Sequence, residues 1–302
     1  MQSDGLSSML SWLRLKAEVY IHTDFQGCWA VDTSGSRRVP FHLVHSGQSW
    51  LHLPDKKPRL LNAGDLVVFP HDQQHFLSSE PHCPTKALVE ETVSNTEHLD
   101  ITGSITGLTC GFFEFDNPAS WPLLNSLPEA IVLELNNNDQ LNNTRTLLKL
   151  MISELEHNAP GTAISVSHLT HSLFIHILRS QIGSNPQQGI LAALFDPRIG
   201  KALNQIHDQP QQEWTLEQMA QTAGMSRTGF SELFKELTGQ TPVRYLAEWR
   251  MLQASELLRT TDLSVISIAE QCGYTSDVSF RKAFKSITGQ APGAVRRSGR
   301  EG

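Results

Sequence analysis

The sequence predicts an α+β fold: a β-barrel with a helical hairpin in the amino-terminal part, and an all-α domain in the carboxy-terminal part. Between about residues 25 and 115, short apolar or alternating stretches are separated by Gly, Pro and Asp turns, which is typical of strands. From about residue 141 the apolar residues recur at helical spacing instead. TGQTP at residues 238–242 returns as TGQAP at residues 288–292, which indicates a duplicated helical unit.

Length and composition indicate a globular chain of about two domains. The 302 residues are 39% hydrophobic and 18% charged. No apolar run approaches the roughly 20 residues that span a bilayer, and no basic segment precedes an apolar one at the start. We therefore expect no membrane segment and no signal peptide. The four cysteines (Cys28, Cys83, Cys110, Cys272) are widely spaced and predict no disulfide framework, which fits a cytoplasmic location.

Charge is distributed unevenly along the chain. The net charge is −7, with 11 Lys/Arg against 20 Asp/Glu in residues 1–196 and 13 against 11 in residues 197–302. Residues 278–300 contain six basic side chains and no acidic one. A basic segment in an acidic protein indicates a polyanionic partner for that end of the chain alone.

Changes in pattern predict four segments: a barrel over residues 1–125, a helical hairpin over 126–182, a linker over 183–196 and a helical domain over 197–302. The barrel strands are predicted in FHLVHSG, SWLHLP, RLLNAGDLVVFP and LTCGFFEF. The hairpin is predicted in NNTRTLLKLMISELEHN and PGTAISVSHLTHSLFIHILRSQI, and the linker begins with the polar sequence GSNPQQG.

In the last segment, caps and stops delimit short helices. Thr215 with Gln218 predicts a capping box that opens a helix ending near Gly224. The next helix begins after Ser226 and ends at Gly239, and a helix of about twenty residues opens at Pro242. The short pair then recurs.

The two copies match at spaced positions and share one architecture. Each contains a helix, a turn with Gly and a second helix with an apolar inner face, which is the helix–turn–helix pattern. The second helix of such a unit enters the major groove of DNA, and two units on one chain fit successive grooves about 34 Å apart. The matched positions are Ala220/Ala269, Gly224/Gly273, Phe230/Phe280, Phe234/Phe284 and Pro242/Pro292.

The segment IAEQCGYTSDVSFRKAFKSITGQAP carries a more specific likeness. Residues from about 197 to 297 resemble the DNA-binding domain of the AraC/XylS family of bacterial transcription regulators. The resemblance implies promoter DNA and RNA polymerase as partners, and base contacts from the outward positions of both second helices. These positions are Arg227, Thr228, Ser231, Glu232, Asp277, Val278, Ser279 and Lys282.

Chemistry suits several of these positions to base edges. Arg227 suits guanine, Val278 suits a thymine methyl, and a carboxylate at Glu232 or Asp277 accepts from cytosine. The alternative for either carboxylate is to orient a neighbouring Arg or to cap its helix. Phe280 and Phe284 are expected in the core. The residues expected at the phosphate backbone are Arg250, Arg281, Lys285, Arg296 and Arg297, the last two alternatively being disordered.

The strand-rich segment resembles the cupin barrel found ahead of this DNA-binding domain in many regulators. VPFHLVHSGQSWLHL, GDLVVFPHDQQHF and LTCGFFEF carry this resemblance. It implies a barrel that senses a small molecule, a metal or a redox signal, and helices that pair two chains into a homodimer. The expected function is transcription regulation, with activation as the expected output. The alternative is a metal-dependent cupin enzyme with an attached helical domain.

Histidines on the presumptive strands raise the question of a metal. His42 and His45 have the spacing HxxH, which places them on opposite faces of a strand, so at most one points inward. A zinc or other divalent metal site of His42, His75 and Cys110 is one hypothesis; packed, hydrogen-bonded side chains are the other. The HxH-plus-carboxylate set of enzymatic cupins is missing, and no other catalytic motif stands out. We therefore predict no enzyme activity.

Cysteine oxidation is a further hypothesis for the barrel. Cys28 and Cys110 fall in its strands and turns, and an exposed thiol of low pKa reports oxidants. The alternative is that both are small packing residues. The candidates for the effector pocket are therefore His42, His75, Cys110 and Cys28.

Overall fold

A computed structural model of the chain describes residues 4–12, 15–82, 105–115, 121–183 and 189–298. Cys83 and Arg300, which entered the sequence arguments, lie outside these ranges. The chain divides into two compact units. The barrel unit comprises residues 15–114 and 127–181, and the helical unit comprises residues 1–14, 115–126 and 182–302. No helix in the described ranges is long and apolar enough to cross a bilayer.

The barrel unit contains two β-sheets. The strands are β1 (Leu15–Phe25), β2 (Ala30–Asp32), β3 (Val39–Ser46), β4 (Gln48–His52), β5 (Arg59–Asn62), β6 (Asp65–Val68), β7 (Phe76–Ser78), β8 (Thr106–Phe115) and β9 (Ile131–Glu134). The five-stranded sheet has the order β1-β8-β3-β6-β9, and the four-stranded sheet has the order β2-β7-β4-β5. All strands that the sequence predicted are present, and the α+β prediction is confirmed.

Apolar side chains fill the barrel unit on both sides of the five-stranded sheet. The inner cluster joins residues of both sheets, among them Val44, Leu51 and Cys110. On the other side, Phe113 packs against Phe174 with ring centroids 4.9 Å apart. Phe174 belongs to the helical hairpin of α3 (Asn142–His157) and α4 (Thr162–Gly183). The hairpin therefore covers the sheet face that the inner cluster leaves open.

The helical unit contains the predicted duplication. Its helices are α1 (Gly5–Trp12), α2 (Trp121–Leu124), α5 (Ile190–Phe195), α6 (Ile199–Asp208), α7 (Leu216–Thr222), α8 (Arg227–Thr238), α9 (Pro242–Thr260), α10 (Val265–Gln271), α11 (Asp277–Thr288) and α12 (Pro292–Ser298). The predicted capping box of Thr215 and Gln218 opens α7. Ser226 caps α8, and Gly239 ends α8 in the left-handed conformation with φ 75°.

Each helix–turn–helix unit is built around two buried phenylalanines. Phe230 and Phe234 of α8 are fully buried, as are Phe280 and Phe284 of α11. In the second unit these rings pack with residues of α9, α10 and α12, including Met251. The prediction that Phe280 and Phe284 are core residues is confirmed. Truncating either ring would cost about 3–5 kcal/mol, the usual range for Phe→Ala in a core.

The boundaries of the two compact units differ from those of the four predicted segments in three places. Helices α1 and α2, from the predicted barrel segment 1–125, belong to the helical unit. The predicted hairpin folds with the barrel, apart from its first and last residues. The predicted linker 183–196 contains α5, whose residues from Ile190 to Leu194 are all buried. A polar, Gly-rich start hid this short apolar helix from the sequence argument.

Candidate DNA-binding surface and sensor cluster

Helix α8 and helix α11 expose the residues predicted to contact bases. Both begin after a serine N-cap, since Ser226 accepts from the Gly229 backbone and Ser276 from the Ser279 backbone. Val278 is 76% exposed, although it is apolar, so packing within this chain does not explain it. Arg227, Thr228, Glu232, Ser279 and Lys282 are also exposed, and Ser231 and Asp277 are partly buried.

Asp277 is engaged within its own helix. The Arg281 guanidinium Nε donates to both carboxylate oxygens of Asp277, at 2.9 and 2.8 Å. Such an i,i+4 pair contributes about 0.3–0.5 kcal/mol on an exposed helix, so it affects orientation more than stability. Of the two alternatives for Asp277, the pair with a neighbouring Arg fits this geometry.

The five predicted phosphate contacts fall into two groups. Arg281, Lys285 and Arg297 are exposed. Arg296 is partly buried and donates through Nη2 to the backbone carbonyl of Leu263. Arg250 donates through Nε and Nη2 to two backbone carbonyls of the chain. For Arg250 and Arg296 the arrangement differs from the expected one, because their guanidinium nitrogens already serve backbone oxygens.

In the barrel unit, His42 and His75 form a buried pair. Their Nε2 atoms lie 3.0 Å apart, and the Thr33 hydroxyl lies 3.1 Å from each of them. His42 is 0% exposed, and the His75 ring stacks on Phe69 with centroids 3.7 Å apart. We call His42, His75 and Thr33 the sensor cluster. The structure thus places His42 and His75, two of the four predicted pocket residues, within hydrogen-bond distance of each other.

Hydrogen-bond geometry assigns a protonation pattern to the sensor cluster. The His75 Nδ1 lies 2.7 Å from the Gln73 carbonyl, which only accepts, so Nδ1 carries a proton. In the neutral ring the His75 Nε2 then accepts from the His42 Nε2–H, and the His42 Nδ1 is left without a partner among the described residues. Burial, and secondly the neighbouring His75, hold the pKa of His42 well below its usual range. Burial also lowers the pKa of His75.

The zinc hypothesis does not gain a third ligand from this geometry. Cys110 lies directly opposite His42 in the β3–β8 register, yet no three His, Cys, Asp or Glu side chains in the described ranges cluster as a metal site. The His42–His75 contact is instead satisfied by its own proton and by Thr33. The proposed triad of His42, His75 and Cys110 is therefore not assembled here.

The two barrel cysteines occupy different environments. Cys110 is fully buried, and burial raises the pKa of its thiol, which keeps it protonated and poorly nucleophilic. Cys28 is exposed between β1 and β2. Of the two thiols, only Cys28 has the accessibility that oxidant sensing needs, and the environment of Cys110 fits the packing alternative.

Sequence reasoning missed several polar residues of the barrel unit. Thr33 gave no signal because a single threonine in a turn has no motif. As predicted, His45 and His42 face opposite sides of their strand: His45 and His22 both place Nδ1 within 3.0 Å of the Thr109 hydroxyl. Their rings lie 4.8 Å apart, and burial lowers the pKa of His22. The alternation in LKAEVYIHTDF could have indicated the strand β1.

Comparison with known proteins places the whole chain. Residues 4–183 match the family model described as Cupin, and residues 219–298 match a Helix-turn-helix domain. An uncharacterized HTH-type transcriptional regulator of Haemophilus influenzae is 32% identical over 98% of this chain and 99% of its own length. The RCS-specific HTH-type transcriptional activator RclR of Escherichia coli is 29% identical over 85% of this chain and 84% of its own.

A putative AraC-like transcription regulator of Streptomyces lividans is 28% identical over 97% of this chain and 98% of its own length. The relatives are regulators rather than enzymes, and they match both units of this chain in order. The duplicated helix–turn–helix unit, the strand-rich unit ahead of it and these full-length matches agree. The chain belongs to the AraC/XylS family of transcription regulators, with a cupin domain ahead of its DNA-binding domain.

Proposed function

We propose that this DNA-binding transcription regulator reads its promoter with α8 and α11 in two successive major grooves. The observation that carries the proposal is the pair of N-capped helices with buried phenylalanines on one side and exposed polar residues on the other. A recognition helix contacts base edges through the residues near its amino terminus. The base contacts are assigned to Arg227, Thr228, Ser231, Glu232, Val278, Ser279 and Lys282.

Asp277 has a different assignment, because it holds Arg281 across the first turn of α11 at 2.8 Å. Arg281, Lys285 and Arg297 are assigned to phosphates because they are exposed and basic. Arg250 and Arg296 are left out of this group since each donates to backbone carbonyls. Every lysine or arginine that pairs with a phosphate releases counterions, so affinity falls steeply with salt.

The barrel unit is proposed to sense a small molecule at the sensor cluster. The His42 Nδ1 is a buried acceptor without a partner among the described residues, which costs about 1–3 kcal/mol, and an effector with a donor group offsets that cost. The name of the relative RclR supports activation as the output. A homodimer, contact with RNA polymerase and action in the cytoplasm, where promoter DNA lies, complete the proposal.

Electrophoretic mobility shifts with the chain's own upstream DNA test the DNA-reading part. The logarithm of the association constant should fall linearly with the logarithm of the salt concentration, with a slope of about −0.9 for each phosphate contact. Lys282→Ala should weaken specific binding by about 1–3 kcal/mol, the range for one base contact. Lys201→Ala is the matched control, because Lys201 is an exposed lysine on α6 of the same unit. If both variants bound with the affinity of the wild type, the proposal that α11 enters the major groove would be wrong.

A further inference from the structure

Arg250 lies in the middle of α9, the helix that joins the two helix–turn–helix units. Its Nε donates to the Pro210 carbonyl at 2.7 Å, and its Nη2 donates to the Gln212 carbonyl at 2.8 Å. Both acceptors belong to the 209–214 loop that leads into α7 of the first unit. This loop is itself closed, because the Trp214 indole donates to the Gln209 carbonyl at 2.9 Å. The guanidinium therefore ties the connecting helix to a fixed point of the first unit.

The same guanidinium also contacts the second unit. A Cβ added to Gly273, in the turn between α10 and α11, would lie 2.7 Å from Arg250 Nη2 and 2.8 Å from the Gln211 carbonyl. The Arg250 guanidinium carbon lies 5.7 Å from the centroid of the neighbouring Tyr274 ring, within cation–π range. The turn of the second unit thus rests directly on the loop of the first and on Arg250. We call this contact, formed by Arg250, Pro210, Gln212, Gly273 and Tyr274, the Arg250 junction.

The duplication provides an internal comparison for this contact. Gly224 is the counterpart of Gly273 in the first unit, and it has a similar left-handed conformation, with φ 67° against 76°. A Cβ on Gly224 would meet no atom of the described part of the chain within 4 Å. The two glycines therefore meet the same backbone requirement, and only Gly273 is also packed against another element. The crowding at Gly273 belongs to the junction between the units rather than to the helix–turn–helix unit itself.

We propose that Arg250 is a positioning residue that fixes how α11 is oriented relative to α8, and thereby fixes the spacing between the two DNA half-sites. This rests on the proposed function, in which both helices enter major grooves. One base pair more or less between half-sites turns them by about 35° and separates them by about 3.4 Å. A continuous α9 is one connection between the units, and the Arg250 junction is a second one off the helix axis. Two connections resist the rotation that one connection permits.

The chemistry explains why the residue is an arginine. The planar guanidinium presents several N–H donors in a fixed fork, so it serves two carbonyls of one loop while its face lies on an aromatic ring. A lysine keeps the charge but offers one nitrogen. If Arg250 bound phosphate, lysine would replace it well. If Arg250 holds the junction, lysine leaves one carbonyl without its donor and fails.

Selection of DNA duplexes by the full-length chain measures this role. A library carries two half-sites from the footprinted promoter, separated by a variable number of base pairs. The wild type should enrich one spacing by roughly tenfold or more over its neighbours, since a misplaced half-site loses several base contacts. In R250Q, R250K and G273A, the enrichment of the neighbouring spacings should come within about threefold of the enrichment of the preferred spacing. R244Q and G224A are the controls: Arg244 is an exposed arginine of α9 paired with Glu248, and Gly224 is the unpacked glycine.

A measurement without DNA separates this proposal from the proposed function. Spin labels at Glu236→Cys in α8 and Ser286→Cys in α11, in a background with Cys28 and Cys83 replaced by Ser, report the distance between the recognition helices. The distribution should be narrow in the wild type and the controls, and broad in R250K and G273A. Narrow distance distributions in both R250K and G273A would overturn the proposal. It would also be overturned if R250K kept the wild-type preference for one half-site spacing while R250Q lowered the salt dependence of DNA binding by about one phosphate contact. If R250Q does not fold, R250K and G273A decide the question alone.

Discussion

His207 makes the stability of the helical unit depend on pH, and His207→Gln tests this dependence. The imidazole lies in α6 and is 3% exposed. Its Nε2 lies 2.6 Å from the Tyr245 hydroxyl, and its ring stacks on Trp249 at 3.9 Å. Burial lowers the pKa of His207 from 6.5 to about 4. The Gly5 backbone opposes this shift, although no hydrogen bond of standard geometry joins it to the ring.

The sign and size of the effect follow from linkage. Above pH 6.5 the ring is neutral in both the folded and the unfolded chain, so it contributes no pH dependence. As the pH falls below 6.5, the unfolded chain binds a proton that the folded chain excludes, and the unit loses stability until the pH reaches about 4. At about 1.4 kcal/mol for each pKa unit, the full loss is on the order of 3 kcal/mol, and about 2 kcal/mol is lost by pH 5.

Hydrogen exchange of the full-length chain measures this pH-dependent loss of stability locally, because it gives a free energy of opening for each peptide. Peptides from α6 and α9 are compared between the wild type and His207→Gln at the same pH, so that the chemical exchange rate cancels. Glutamine retains a polar group near the Tyr245 hydroxyl and does not titrate. The difference in opening free energy between the wild type and the variant should shrink by about 2 kcal/mol as the pH is lowered from 7.5 to 5.

His157→Gln is the control for the exchange experiment, because His157 is an exposed histidine at the end of α3 in the barrel unit. It should leave the α6 and α9 peptides unchanged. If the gap between the wild type and His207→Gln stayed constant from pH 7.5 to pH 5, the ring would not be excluded from protonation, and the reasoning from burial would be refuted.

Three other substitutions have expected outcomes. Gly5→Val should weaken the packing of α1, because a Cβ there would lie 2.4 Å from the Asn204 Oδ1 and 2.7 Å from the Leu194 Cδ2, so both side chains must shift; faster hydrogen exchange in α1 peptides would report it, and an unchanged rate would contradict the packing. Ser276→Ala should cost about 1 kcal/mol through the lost cap of α11, measured by urea unfolding, with an unchanged midpoint counting against the cap. Thr33→Val should destabilise the barrel unit by about 1 kcal/mol and abolish effector response in a reporter assay; a full response would exclude the sensor cluster.

The helical unit was largely predictable because its signals are local. A cap such as Ser226, a stop such as Gly239 and an inward phenylalanine such as Phe280 each depend on neighbours within a few residues. The duplication then checked every assignment against its copy. The strands of the barrel unit were found for a similar reason, since alternation and turns are written within short windows.

Contacts between distant parts of the chain could not be predicted. His42 and His75 were both named, but Thr33, which bridges them, carries no motif. Arg250 was assigned to phosphate because a basic residue on a DNA-binding domain is usually at the surface, and nothing nearby in sequence indicated the carbonyls of Pro210 and Gln212. Which residues meet across such separations depends on tertiary packing, for which one sequence gives no spacing rule.

The distribution of the helical unit over three chain segments has a consequence for protein engineering. Because residues 1–14 and 115–126 fold with residues 182–302, a single cut near residue 189 yields a reader stripped of α1 and α2. If relatives exchanged everything before one splice point, α1 and α2 would come from one protein and the rest of the helical unit from the other. Successful chimeras of this architecture therefore require the exchange of two internal segments, with boundaries near residues 15 and 114 and near residues 127 and 181.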